Sequence, residues 1–130
     1  QQAIKEAGIT PDQVDYINAH GTATHANDSG ESKSIKRVFG EDNHVLVSST
    51  KGMTGHLLGG AGAVEAVATV AGLLQGKLPA NVGCFEQDPE CQVNLVTKDN
   101  QDQPKAEYAL SNSLGFGGHN AVLAFRKWSD

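Results

Sequence analysis

The chain has 130 residues, 38% of them hydrophobic and 19% charged, with a formal net charge of −5, enough for one ordinary domain. The acidic balance argues against a nucleic-acid partner, which usually calls for a basic patch, and no signal peptide, lipidation motif or membrane-spanning run is read from the sequence. Two cysteines, Cys84 and Cys91, are too few for a disulfide scaffold and match no common zinc spacing, so a reducing cytoplasm is the expected compartment.

Residues 1–7 read as the end of a helix closed by Gly8. The chain opens inside this helical pattern without a Met, as a piece of a longer protein would. Thr10-Pro11-Asp12 predicts a turn with Pro at a first helical position. Val14-Asp15-Tyr16-Ile17-Asn18-Ala19 alternates and predicts a strand that runs into His20-Gly21-Thr22-Ala23-Thr24. Asp28 and Ser29 are candidate caps of a helix supported by Glu31 in its first turn, and that helix stops at Gly40. Ile35, Val38 and Phe39 supply its apolar face.

Val45-Leu46-Val47 predicts a short buried strand. The stretch after it, 48–63, holds Lys51 and His56 among five glycines. It lies at a strand-to-helix turn, where open α/β sheets bind ligands. Residues 61–74 are almost wholly Ala, Val, Leu and Gly. A helix apolar all round is expected to be buried on most sides, and at about fourteen residues it is too short to span a bilayer. Its lone charge, Glu65, needs a partner if buried, and Lys51 flanks the same turn.

Residues 80–92 read as loop, 93–96 as a short strand and 98–105 as a polar surface excursion. Residues 108–113 predict a strand, 115–120 a Gly-rich turn, and 121–126 a strand returning antiparallel. The order implies an α/β layered domain with a mixed sheet and a buried Ala/Val-rich helix.

Three glycine-bearing loops thus follow three strands. If the strands are neighbours, one sheet edge gathers His20, Thr22, Thr24, Lys51, His56 and Phe116. Two adjacent imidazoles can both donate to an oxygen on which negative charge develops, with Lys51 influencing their charge. Taken singly, each histidine reads as readily as a structural one bonded to backbone; the joint placement favours chemistry. His25 is expected at the rim of the first loop, His44 in solvent, and His119 in a backbone or a chemical role. No metal is expected, because no pair among His20, His56 and the cysteines has helical i, i+4 spacing. Cys84 and Cys91 have no activating pattern around them.

The stretches Asn18-Ala19-His20-Gly21-Thr22-Ala23-Thr24, Ser49-Thr50-Lys51-Gly52-Met53-Thr54-Gly55-His56-Leu57-Leu58-Gly59 and Ser111-Asn112-Ser113-Leu114-Gly115-Phe116-Gly117-Gly118-His119-Asn120 resemble the C-terminal half of a β-ketoacyl-[acyl-carrier-protein] synthase. The likeness spans nearly the whole chain and is nearest to the type II elongating enzymes of bacterial fatty-acid synthesis. It implies residues 1–130 as one C-terminal domain of a thiolase-like fold, with the N-terminal half and its nucleophilic Cys absent. It also implies an acyltransferase that performs a decarboxylating Claisen condensation between an acyl group and malonyl-[acyl-carrier protein].

In that likeness His20 and His56 hold the malonyl thioester oxygen and stabilise the enolate. Lys51 orders the site with Glu65. Thr22 and Thr24 contact the phosphopantetheine arm, and Phe116 gates the acyl pocket with its backbone N–H in an oxyanion hole. Asp28 and Glu31 match acidic supporting positions. The implied partners are acyl carrier protein, the missing N-terminal half and, at full length, a second copy; no cofactor, membrane or nucleic acid is implied. Ala23 stands where Ser is common, His25 where Pro is common, and Gly59-Gly60-Ala61-Gly62 replaces a usual Gly-Ala-Ala-Gly. None of these removes a site residue. Two alternatives keep the same sequence: a non-catalytic chain-length-factor-like partner, and a ketosynthase domain of a polyketide synthase. Retention of both histidines argues against the first, and the polar end 126–130 argues mildly against the second.

Overall fold

The structure, a computed structural model, describes residues 1–129. A helix α1 (Gln2–Glu6) and a 3₁₀ turn (Pro11–Gln13) lead into strand β1 (Val14–Asn18). Helix α2 (His25–Phe39), strand β2 (Leu46–Ser48), the single-turn helix α3 (Lys51–Thr54) and helix α4 (Ala61–Gln75) follow. Strands β3 (Asn94–Leu95), β4 (Tyr108–Leu114) and β5 (Asn120–Arg126) complete the order. The sheet runs β3-β2-β1-β4-β5, with β5 antiparallel to β4 and the other pairings parallel. The expected mixed α/β sheet is present.

Parallel pairing brings the carboxyl ends of β1, β2 and β4 to one edge, so the three glycine-bearing loops share it. The register of β1 against β4 shifts between Val14 and Tyr16. The Asp15 carboxylate fills the irregularity, accepting hydrogen bonds from the Glu107 and Tyr108 N–H groups at 2.7 and 3.0 Å. A bulge of this kind changes which face the following side chains take. Val14 and Ile17 therefore pack with Ile4, Ile35, Val45, Val47 and Leu110 on one face. Tyr16 packs on the other with Leu73, Leu78, Val96, Ala106 and Ala109.

The N-cap of helix α2 lies four residues earlier than the acidic cap expected at Asp28. Thr24 is the N-cap and Asp28 lies in the first turn, where a carboxylate faces the positive end of the helix dipole. The helix stops at Gly40 as the sequence indicated.

Helix α4 departs from expectation more sharply. Its buried residues are Ala61, Glu65, Thr69, Gly72 and Leu73, while Val64, Val67, Val70 and Leu74 are 39%, 70%, 36% and 57% exposed. The face turned to the sheet is thus the more polar one. The all-round apolar composition reflects an outward face that these residues leave uncovered, not a helix buried on most sides. A 3₁₀ turn (Leu58–Gly60) also extends the run to Leu58–Gln75, 18 residues with mean hydropathy 1.3, so on length and composition alone it could cross a membrane. Its packing accounts for the composition otherwise, since Glu65 and Thr69 are tied into polar contacts with β1 and α3.

Exposed apolar patches of this kind mark interfaces. The 130 residues alone are expected to self-associate and to bind a dye for apolar surface; a compact monomer by sedimentation with no dye binding would contradict this.

Candidate active site

Strand β1 delivers Asn18 and His20 to the sheet edge. The buried carboxylate of Glu31 on α2 accepts hydrogen bonds from the His20 and Gly21 N–H groups at 2.9 and 3.0 Å. It also accepts from Asn112 Nδ2 at 3.1 Å, joining the loop after β1 to β4. Gly21 has φ +43°, and a Cβ there would lie 2.5 Å from Ser49 Cβ. Only glycine permits that approach of the first loop to the second, and Ser49 Oγ donates across it to the Gly21 carbonyl at 3.2 Å.

Lys51 opens α3 directly after β2. Its side chain is 5% exposed and that of its partner Glu65 is 2% exposed. Lys51 Nζ is bonded to Glu65 Oε1 and stands 3.4 Å from His20 Nδ1. The ion pair expected from the shared turn is present. Beneath it, fully buried Asn18 points its Nδ2 at Thr50 Oγ1 (3.3 Å), the Glu65 carbonyl (3.4 Å) and Thr69 Oγ1 (3.3 Å). Thr69 donates to the same carbonyl at 2.7 Å. Neither Asn18 nor Thr69 stood out in the sequence. The available signals were a polar residue at the end of a buried strand and one four positions after Glu65 on an apolar helix. Three buried oxygens beside this network, Asn18 Oδ1, Glu65 Oε2 and Ser111 Oγ, have no hydrogen-bond partner among the described residues.

The His20 and His56 rings meet edge to face, with centroids 5.5 Å apart and planes at 84°. An ammonium donates and never accepts, so His20 Nδ1 is the acceptor from Lys51 and Nε2 carries the proton of the neutral ring. The Leu58 N–H donates to His56 Nδ1 at 3.0 Å, which again leaves Nε2 protonated. Each of the two neighbouring rings is thereby held in the tautomer whose Nε2 carries the proton. Burial first, and then the charge of Lys51, lower the pKa of His20 below its ordinary 6.5, opposed by Glu31 and Glu65.

The sign of that balance is testable. A lowered pKa keeps His20 neutral through neutrality, and the stabilisation associated with the neutral ring is lost as pH falls below 6.5 through the shifted value. Lys51→Met removes one lowering influence and leaves Glu65 uncompensated. Both changes raise the His20 pKa, so the titration followed by imidazole NMR is expected to move upward. A downward move would show that Lys51 does not hold the ring neutral.

The remaining expected residues are placed as follows. Thr22 Oγ1 and Thr24 Oγ1 lie 3.1 Å apart. Phe116 is 97% exposed in the turn after β4, on the same sheet edge, and among the described residues no ring contact joins it to either imidazole. Asp28 accepts from Asn27 Nδ2 at 2.9 Å and takes no part in the Lys51 network. His25 Nε2 is 3.4 Å from Glu90 Oε2. His119 contributes its carbonyl, which accepts from the Gly115 N–H at 2.7 Å. Cys84 is exposed, and burial together with Asp88, Asp28 and Glu90 pushes the Cys91 thiol up, away from a reactive thiolate. Among the described residues no group of three or more His, Cys, Asp and Glu is placed to hold a metal ion. A cavity of about 660 Å³ lies on the α2 side under the first loop, lined by Ile35, Val47, Asn81, Phe85 and Cys91 among others; neither imidazole lines it.

Residues 1–85 match the family model described as the β-ketoacyl synthase C-terminal domain. The chain is 49% identical over 130 residues to 3-oxoacyl-[acyl-carrier-protein] synthase 2 of Synechocystis sp., covering 97% of the chain and 30% of that protein. It is 49% identical over 129 residues to the protein of the same name from Staphylococcus aureus, covering 98% of the chain and 31% of that protein. The chain thus spans less than a third of the length of these relatives. Among solved structures, the ishigamide ketosynthase/chain length factor superposes with a TM-score of 0.91 at 33% identity, over 98% of this chain and 31% of that one. A β-ketoacyl synthase from Burkholderia phymatum gives 0.89 at 34% identity over the same shares, 98% and 31%. A type II polyketide ketosynthase in complex with its acyl-carrier protein gives 0.91 at 35%, also over 98% and 31%. These neighbours have the thiolase-like fold.

Proposed function

This chain belongs to the β-ketoacyl synthase family, and on that premise we propose that the protein containing it elongates fatty acyl chains. The reaction is a decarboxylating Claisen condensation of an acyl group with malonyl-[acyl-carrier protein]. The observation that carries the proposal is the edge-to-face pairing of the His20 and His56 rings at the shared strand-end edge, each ring held in the Nε2–H tautomer by a contact at Nδ1.

In this reading the two donors bind the carbonyl oxygen of the malonyl thioester. The malonyl C–C bond to the carboxylate breaks, CO₂ leaves, and the electron pair passes onto the oxygen held by the imidazoles as an enolate. Such donors count most where the charge develops and water is excluded. The enolate carbon then attacks an acyl thioester on a Cys outside these 130 residues. The new C–C bond forms, the thiolate leaves and the 3-oxoacyl thioester remains on the carrier. Lys51 keeps His20 neutral, Glu65 fixes Lys51, and Glu31 anchors the backbone of the His20 loop, with Asp28 at the head of the same helix. Thr22 and Thr24 receive the polar groups of the phosphopantetheine arm, and Phe116 closes the acyl side.

Condensation needs a nucleophile to carry the acyl group. Neither Cys84 nor Cys91 has an activating sequence pattern around it, and burial with three nearby carboxylates pushes the Cys91 thiol up despite Lys33, so these 130 residues alone are expected not to condense. The rest of the polypeptide covers the outward face of α4, and the working unit is a homodimer that meets acyl carrier protein. The cytoplasm is its place of action, consistent with two free cysteines.

A polyketide role is the second reading, because a solved type II polyketide ketosynthase superposes with a TM-score of 0.91. The higher identity, 49% against 35%, favours the fatty-acid reading. A full-length protein that extends saturated acyl primers with malonyl-[acyl-carrier protein] supports it; one that extends only 3-oxoacyl primers overturns it in favour of the polyketide reading.

A further inference from the structure

Among the described residues just two other than glycine have positive φ, Ala23 at +61° and Leu58 at +51°. Each follows a site histidine closely, Ala23 by three residues and Leu58 by two. The Leu58 conformation has an evident use, since its N–H meets His56 Nδ1. Ala23 has no such bond, and its side chain is exposed, so no packing requires the strain.

The neighbours of Ala23 supply a use. In an extended segment, residues two apart lie roughly 6.6–6.8 Å from one another. A left-handed residue between them folds the chain, and here the hydroxyls of Thr22 and Thr24 meet at 3.1 Å. Thr24 occupies the N-cap of α2, yet its side chain makes no capping hydrogen bond, although threonine is a favoured cap. Two local stabilisations are thus forgone at adjacent positions, and both leave the same pair of hydroxyls together at the sheet edge. One hydroxyl donates to the other, so one O–H of the pair remains free for a ligand. The segment is fixed on both sides. Glu31 and Ser49 hold Gly21, and the Thr24 carbonyl accepts from the Asp28 N–H at 2.9 Å. Ala23 is the joint between these anchors.

We infer that Ala23 is a positioning residue, whose left-handed backbone holds the Thr22 and Thr24 hydroxyls as one paired site for a polar group of the carrier's phosphopantetheine arm. This inference rests on the condensing reading of the site. The test is steady-state kinetics of the full-length enzyme with malonyl-[acyl-carrier protein], with thermal melting as the check on folding. Ala23→Val introduces a β-branched residue that resists positive φ and is expected to raise KM about ten-fold with kcat within about two-fold. Ala23→Gly, which adopts the conformation freely, is expected to keep KM within about two-fold of the parent. In a Thr22→Val/Thr24→Val background, which itself raises KM, Ala23→Val is expected to add less than about two-fold. A fully additive Ala23→Val effect, or an unchanged KM in that variant, overturns the role of Ala23 alone. An unchanged KM in the double-threonine variant overturns the arm-binding reading and this inference with it.

Discussion

Replacing Glu65 with Ala is expected to cost about 3–5 kcal/mol of stability, because it strips the partner from a buried ammonium. The side chains of Lys51 and Glu65 are 5% and 2% exposed, so water cannot take the place of the lost carboxylate. The damage is not confined to the pair. Lys51 also contacts His20, and the Glu65 backbone is held by Asn18 and Thr69, so α4 and the first loop are joined through one network. Removing both charges together, as in Lys51→Met/Glu65→Leu, is expected to recover most of the loss, since a buried pair replaced by apolar groups is often nearly neutral. Urea denaturation of the full-length protein reads both effects. A loss below about 0.5 kcal/mol for Glu65→Ala would match an exposed pair and contradict the burial described here.

The second large effect concerns rate. On the proposed mechanism, His20→Ala and His56→Ala each remove one Nε2–H donor to the developing enolate, and each is expected to lower the condensation rate of the full-length protein by roughly 10²–10³. The double variant is expected to fall short of the product of the two losses, because residues acting as a unit are not additive. Rates near the parent value in both single variants would show that the imidazole pair does not bear the developing charge.

Much of the architecture was legible because glycines and short β-branched runs punctuate the chain. Gly8, Gly40 and Gly76 stand where helices end, and the three strand-end loops share one edge because their strands are neighbours, a condition that the sequence pattern left open. The Lys51–Glu65 pair was legible as a lone carboxylate on an apolar helix beside a lone cation. The orientation of α4 was not. Periodicity cannot orient a helix whose faces are all apolar, and here the polar requirements of Glu65 and Thr69 decide which side meets the sheet, leaving Val64, Val67 and Leu74 outward. The start of α2 was missed for a related reason. Asp28 reads as a cap on composition, whereas Thr24 takes the N-cap while its hydroxyl pairs with Thr22. The bulge at Asp15 and the buried Asn18 were hidden because both depend on partners distant in sequence, Glu107 and Tyr108 for the first and Thr50 and Thr69 for the second.

The central claim is that His20 and His56 act on the enolate and not on loading of the acyl group. Following acyl transfer to the enzyme and malonyl decarboxylation separately, in the full-length His56→Ala protein, tests it most directly. The account predicts decarboxylation reduced by roughly 10²–10³ with acyl transfer close to the parent rate. Blocked acyl transfer with intact decarboxylation would contradict it.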